Sequence, residues 1–99
     1  MIDGYLLNMR VFNKVNDDKH QALKPLEEAS EIFGAWQARY NMRFVSRGAC
    51  GAFRRDLIDE CMDTVQAVTN LLAAVGATQG EVDAAIKRMD ERNGDRGRL

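Results

Sequence analysis

Two pairs of acidic residues have a spacing typical of metal ligands. Glu28 and Glu31 are three residues apart, and so are Glu60 and Asp63. Residues three apart on a helix share a face, so each pair would present its two carboxylates together. Carboxylate oxygens suit hard cations such as Mg²⁺, and they suit Mn²⁺ as well. No histidine lies within either pair, which argues against zinc and against the Glu-x-x-His sites of diiron bundles.

The second pair belongs to a longer polar helix face. Spacings of four and three residues place five side chains on that face: Asp56, Glu60, Asp63, Ala67 and Asn70. Like charges four residues apart destabilise an isolated helix by roughly 0.2–0.5 kcal/mol. The face therefore predicts that a cation is supplied from outside the helix. The alternative is an acidic surface without a ligand, because acidic clusters mark function only probabilistically.

Three amphipathic helices must position these groups. The periodicity of apolar residues predicts α-helices over roughly 24–40, 53–75 and 79–92. Each helix should bury one apolar stripe. The predicted stripe of the first helix is Leu26, Ala29, Phe33, Trp36 and Tyr40. That of the second helix is Leu57 or Ile58, Cys61, Val65, Val68 and Leu72.

Helix-end signals support these boundaries. Pro25 suits the first turn of the first helix, although a start near Lys19 is an alternative. Gly76 suits the end of the second helix. Thr78 and Glu81 have the spacing of a capping box for the third helix, which we expect to end at Gly94. Residues 5–16 predict a short amphipathic helix, and residues 41–51 predict a loop.

The predicted fold is an all-α bundle of antiparallel helices joined by short connections. Its 99 residues suit a single domain, 1–99, with an N-terminal extension or short helix over 1–20 and a basic tail over 94–99. So small a chain gains stability from oligomerisation, and we expect a homodimer or homotetramer.

Composition limits the partners and the compartment. The net charge of −1 gives no bulk attraction to nucleic acid or to an anionic membrane, so neither is an expected partner. No secretion signal or membrane-spanning stretch is predicted. Cys50 and Cys61 match no zinc motif and read as two reduced thiols, Cys61 in a core and Cys50 in a loop. We therefore expect a cytoplasmic protein.

Two segments resemble a known enzyme family. LKPLEEASEIFGAW contains an ExxE motif, Glu28 to Glu31, preceded by Glu27. RRDLIDECMDTVQAVTNLLAAVG contains an ExxD motif, Glu60 to Asp63. Together they resemble the MazG-type all-α nucleoside triphosphate pyrophosphohydrolases. The ending IKRMDERNGDRGRL is similar to that of small, single-unit, often phage-encoded members. The resemblance covers roughly residues 23–99 and leaves the first 20 outside it.

The resemblance implies Mg²⁺-dependent hydrolysis of a nucleoside triphosphate, ribo or deoxy, to the monophosphate and pyrophosphate. The implied metal ligands are Glu28, Glu31, Glu60 and Asp63. A water attacks the α-phosphorus, and the general base is one of these carboxylates or Glu27. Asp56 is a candidate for orienting a ligand or a metal-bound water.

Basic and polar residues are candidates for binding the substrate. Lys87 and Arg92 are expected to contact phosphate, with a solvated surface as the alternative. Lys24 is expected to do the same, and its alternative is an ion pair with Glu28. Asn70 suits a base or sugar edge, or burial against a neighbouring subunit. Trp36 suits stacking on a base, or a place in the core or an interface.

Two other functions remain open from the sequence. One is a non-catalytic helical interaction module whose acidic face recognises a basic partner. The other is a nucleic-acid-binding bundle that uses the basic tail, which the acidic main face and the net charge of −1 oppose.

Overall fold

The computed structural model describes residues 2–45 and 47–99, so Met1 and Ser46 lie outside the described residues. Three α-helices follow one another: α1 (Lys19–Met42), α2 (Arg47–Ala74) and α3 (Gln79–Asp95). No strand occurs in these two ranges, which confirms the all-α prediction. None of the three helices is both long enough and apolar enough to cross a membrane.

Helix α1 begins earlier than its predicted boundary. Asp18 has an extended backbone, and its carboxylate accepts a hydrogen bond from the Gln21 amide at 2.8 Å, which caps the helix. Pro25 therefore lies inside the helix rather than in its first turn. The start near Lys24 is wrong and the alternative start near Lys19 is confirmed, because the Asp18 cap satisfies helix amides about one and a half turns earlier.

Helix α2 also begins earlier than predicted. It starts at Arg47, so most of the predicted loop over 41–51 is helical. Cys50 consequently lies in the helix and not in a loop, and its thiol donates a hydrogen bond to the Met42 carbonyl at 3.1 Å. Two glycines, Gly48 and Gly51, suggested a break here. The helix continues through both, because glycine lowers helix stability without preventing helix formation.

The ends of α3 agree only in part with the prediction. The capping box is confirmed: the Glu81 amide donates to Thr78 Oγ1 at 3.2 Å, and the Thr78 amide donates to Glu81 Oε1 at 3.1 Å. Gly76 has a φ of 76°, which confirms its role in ending α2. Gly94 does not end α3. The helix runs on to Asp95, and Gly97 adopts the left-handed conformation instead, with a φ of 71°.

The N-terminal segment, residues 2–17, is extended and contains no helix, so the predicted helix over 5–16 is wrong. Side-chain amide groups of α2 form hydrogen bonds with the backbone of this segment. The Phe12 amide donates to Asn70 Oδ1 at 3.0 Å, and Gln66 Nε2 donates to the Arg10 carbonyl at 2.6 Å. Backbone groups that a helix would have paired internally are thus paired with α2 side chains.

Helices α1 and α2 form an antiparallel hairpin. Met42 meets Cys50 at the closed end, and Glu28 meets Asp63 farther along. Helix α3 packs against neither of them within the described ranges. The predicted bundle is therefore a two-helix hairpin with the N-terminal segment across it, and α3 stands apart.

The apolar stripe that α1 is predicted to bury is instead exposed to solvent. Leu26 is 69% exposed, Phe33 63% and Trp36 42%, whereas Ile32 and Ala35 are half-buried. Among the described residues α1 packs against α2 and not against α3, so most of its apolar face is left uncovered there.

Helix α2 shows the same inversion in part. Ile58, Val68 and Leu72 of its predicted stripe are exposed, whereas Leu57, Cys61 and Val65 are half-buried. The buried residues in the described chain, Ala67 and Asn70, belong instead to the polar face that carries Glu60 and Asp63. The polar face is therefore the inner one.

The contact between Asn70 and Phe12 should be measurable. Because Asn70 is only 4% exposed and accepts the Phe12 amide, Asn70→Ala should lower the free energy of unfolding by about 1–3 kcal/mol. The Phe12 amide should also lose protection from hydrogen exchange. Asn41→Ala, at an exposed position of α1, is the matched control and should change neither quantity noticeably. Unchanged protection of Phe12 in Asn70→Ala would contradict this contact.

Candidate metal centre

Three carboxylates from two helices converge between α1 and α2. Glu28 of α1 and Glu60 and Asp63 of α2 each place one oxygen so that all three atoms lie within 4.8 Å of one another. Glu31, one turn after Glu28, adjoins Glu60. We call Glu28, Glu31, Glu60 and Asp63 the acidic cluster. The two motifs, far apart in sequence, therefore meet in space.

Mutual repulsion and shielding perturb the cluster. The pKa of Glu60 is raised above its ordinary 4.5, first by a hydrogen bond with the Glu31 carboxyl, then by burial and by the charges of its acidic neighbours. That hydrogen bond exists only when one of the two carboxyls carries a proton. The cluster therefore favours keeping a proton or gaining a cation.

One oxygen of Glu60 has no hydrogen-bond partner in the described part of the chain. Its Oε2 atom is shielded from solvent and has no hydrogen-bond donor among the described residues. Ionised carboxylates normally accept several hydrogen bonds, and a shielded one without a donor is unfavourable. A shared proton or a metal ion at this position would remove the deficit.

Glu28 responds to the same surroundings. Its pKa is raised above 4.5 by desolvation and by the charges of Glu31 and Asp63, and the Lys24 ammonium opposes that shift. A metal ion near Glu28 would add to the effect of Lys24 and make the carboxyl release its proton more readily.

The donor set fits a hard divalent cation. All of its donors are carboxylate oxygens, and neither cysteine nor histidine belongs to it. Mg²⁺ binds through one or two carboxylates while keeping several waters, and Mn²⁺ accepts the same donors. Glu28, Glu60 and Asp63 could hold such an ion, since one oxygen of each already lies within 4.8 Å of the other two.

Three other predicted residues of the site lie at its margin. Glu27 is exposed, and its Oε2 pairs with Lys24 Nζ at 3.3 Å. Lys24 thus forms its ion pair with Glu27 and not with Glu28, the partner that the sequence suggested. Asp56 is exposed on α2, one turn before Glu60.

The remaining predicted residues are less closely associated with the cluster. Asn70 lies on the same inner face, but its Oδ1 accepts hydrogen bonds from the Phe12 amide and from Gln66 Nε2 at 3.0 Å each. Lys87 and Arg92 lie on α3, which packs against neither helix of the hairpin within the described residues. The structure therefore does not bring them together with the acidic cluster.

A cavity of about 530 Å³ adjoins the cluster. Glu28 and Asp63 line one part of it. Sequence reasoning missed several of its other lining residues: Lys14, His20, Gln21 and Gln66. One signal was available, since a helix begun at Asp18 places His20, Lys24 and Glu28 four residues apart on one face. The path of the N-terminal segment had no comparable signal.

The comparisons with known proteins give no match. No family model matches the sequence, and no similar chain was found among curated proteins or solved structures. The resemblance to MazG-type enzymes therefore stays a prediction that rests on the two acidic motifs and the ending of the chain.

Raised pKa values in the cluster predict how stability depends on pH. The folded, metal-free chain binds protons at Glu28 and Glu60 more tightly than the unfolded chain, whose glutamates titrate near 4.5. This contribution is full below that pH and is lost as the pH rises through the raised values. Without divalent ions, the melting temperature of Glu60→Gln relative to that of the wild type should therefore rise as the pH increases toward neutral.

Asp59→Asn is the matched control for that measurement, because Asp59 is exposed on α2 beside Glu60 and outside the cluster. It should leave the difference between acidic and neutral pH unchanged. Mg²⁺ should raise the melting temperature of the wild type but not that of Glu60→Gln. If Glu60→Gln and Asp59→Asn respond identically to pH and to Mg²⁺, the cluster is only an acidic surface.

Proposed function

We propose that this chain is a Mg²⁺-dependent nucleoside triphosphate pyrophosphohydrolase that releases a nucleoside monophosphate and pyrophosphate. The observation that carries the proposal is the meeting of Glu28, Glu60 and Asp63 within 4.8 Å, with Glu31 beside them. The motif resemblance supports the reaction class, and the geometry supports the metal-binding part of it. Mn²⁺ is expected to replace Mg²⁺.

The residues of the acidic cluster would have different roles. Glu28, Glu60 and Asp63 would hold the ion, and Glu31 would orient Glu60 through their contact. A bound Mg²⁺ would supply positive charge to offset the charge that develops on the triphosphate. One carboxylate of the cluster would accept a proton from the water that attacks the α-phosphorus. Glu27 is less suited to that role because it pairs with Lys24 on the exposed side.

The reaction is tested with a panel of ribo- and deoxynucleoside triphosphates, Mg²⁺ and a pyrophosphate readout. At least one member should turn over. Glu60→Gln and Asp63→Asn should each lower kcat/KM by at least about a hundredfold, since even residues that only orient metal ligands cost up to that much. Asp59→Asn should retain activity. No turnover of any member, or undiminished turnover in both cluster variants, would refute the proposal.

A second candidate function has one observation in its favour. The exposed aromatic side chains of Phe33, Trp36 and Tyr40 stack along α1, with centroids 6.2 and 5.0 Å apart, and exposed apolar patches mark interaction surfaces. A non-catalytic interaction module would use such a surface and would need no metal. Magnesium-dependent release of pyrophosphate, lost in Glu60→Gln, separates the two functions.

We further propose that the chain is a homodimer or homotetramer whose interface covers the outer face of α1. That face includes a shallow apolar groove of about 440 Å³ lined by Ala29, Ile32, Phe33, Trp36 and Leu57. A hairpin with so little buried apolar surface gains most of its missing core from a second copy.

Light scattering and sedimentation test the assembly. The wild type should be a dimer or tetramer, and Trp36→Glu should shift it toward the monomer because a charge enters an apolar interface. Gln37→Glu adds the same charge at the neighbouring exposed position and should leave the assembly intact. A monomeric wild type at micromolar concentration would contradict the proposal.

A further inference from the structure

We infer that the N-terminal segment and the first turns of α1 form the binding site for the polyphosphate of the substrate, with Lys14 and Lys24 contacting its phosphates. This inference rests on the proposed function and extends its site to the N-terminal segment with Lys14, which lies outside the resemblance. Its basis is the cavity of about 530 Å³, where the two lysines and the metal-binding carboxylates line the same space.

Hydrogen bonds to α2 hold the N-terminal segment in place along one side of the cavity. Hydrogen bonds from the Phe12 amide to Asn70 and from Gln66 to the Arg10 carbonyl attach it to α2. Lys14 follows Phe12 by two residues, so its backbone is positioned by that attachment. On the opposite side, His20 and Lys24 line the cavity from successive turns of α1, and Glu28 follows on the next turn.

The charges of the cavity identify the class of ligand. Glu28 and Asp63 repel a bare anion, whereas Lys14 and Lys24 repel a bare cation. The ion pair between Lys24 and Glu27 is exposed and therefore weak, so Lys24 can exchange it for a phosphate oxygen. A polyphosphate carrying a divalent ion satisfies both ends at once, with the metal at the carboxylates and phosphate oxygens at the ammonium groups. The cavity also has the size of ordinary small-molecule sites, roughly 300–1,000 Å³. Its third carboxylate, Asp18, is occupied in capping α1.

Lys24, which the sequence already suggests for phosphate contact, lines the cavity, and Lys14 adds a second cation there. Lys87 and Arg92 lie on α3, apart from the hairpin, whereas Lys14 and Lys24 share a cavity with two members of the acidic cluster. Within one protomer, the N-terminal segment is therefore the better source of positive charge for the substrate.

Calorimetric titration of the full chain with inorganic triphosphate and Mg²⁺ tests the inference. Lys14→Gln should weaken binding about tenfold, the usual effect of losing one charge-assisted hydrogen bond, and so should Lys24→Gln. Lys19→Gln removes the same charge nearby, from a residue that does not line the cavity, and should change binding by less than about twofold, because exposed charges act weakly at a distance. Binding of Mn²⁺ alone, followed by electron paramagnetic resonance, should not weaken in Lys14→Gln, because Lys14 repels a bare cation.

The outcomes separate this inference from the proposed function. If pyrophosphate is released but Lys14→Gln and Lys19→Gln bind triphosphate equally well, the inference fails and the function stands. If no nucleotide is hydrolysed but triphosphate binding still requires Lys14, the inference stands and the function fails. Equal weakening by all three lysine variants would show only a general charge effect and would overturn the inference.

Discussion

Four carboxylates lie close together between α1 and α2, and their mutual repulsion must be offset by bound protons or by a cation. Glu28, Glu31, Glu60 and Asp63 meet on the faces that the two helices turn toward each other. Interiors normally exclude unpaired charge because desolvation is costly. This hairpin places two half-buried carboxylates, those of Glu28 and Glu60, between its helices and leaves large apolar side chains such as Phe33 and Trp36 exposed. Such an arrangement lowers stability, as is expected where function and stability compete, and it agrees with the proposed metal site.

Two consequences follow from a polar interior. The hairpin lacks a continuous apolar core, so its outer stripes, with Phe33 and Trp36 on α1, are free to bind a second copy. The inner face instead holds the N-terminal segment through amide groups, since Asn70 and Gln66 pair with backbone atoms of that segment. Assembly and substrate binding would then use opposite sides of the same two helices, and neither would interfere with the other.

Local signals predicted much of this architecture, and tertiary relations accounted for the errors. The helices, the capping box at Thr78 and the turn at Gly76 depend on neighbours a few residues away, so the sequence revealed them. The pairing of Glu28 with Asp63 followed from two short motifs. The prediction of buried residues failed because periodicity identifies the apolar face of a helix but not which element packs against it. The path of the segment around Phe12 depends on Asn70, 58 residues away, which no local pattern reports.

Direct observation of a metal ion tests the central claim most simply. Crystals grown or soaked with Mn²⁺, measured near the manganese absorption edge, locate the ion by its anomalous scattering. We expect a peak between α1 and α2, with oxygens of Glu28, Glu60 and Asp63 at coordination distance. Strong peaks elsewhere and none at these carboxylates would contradict it.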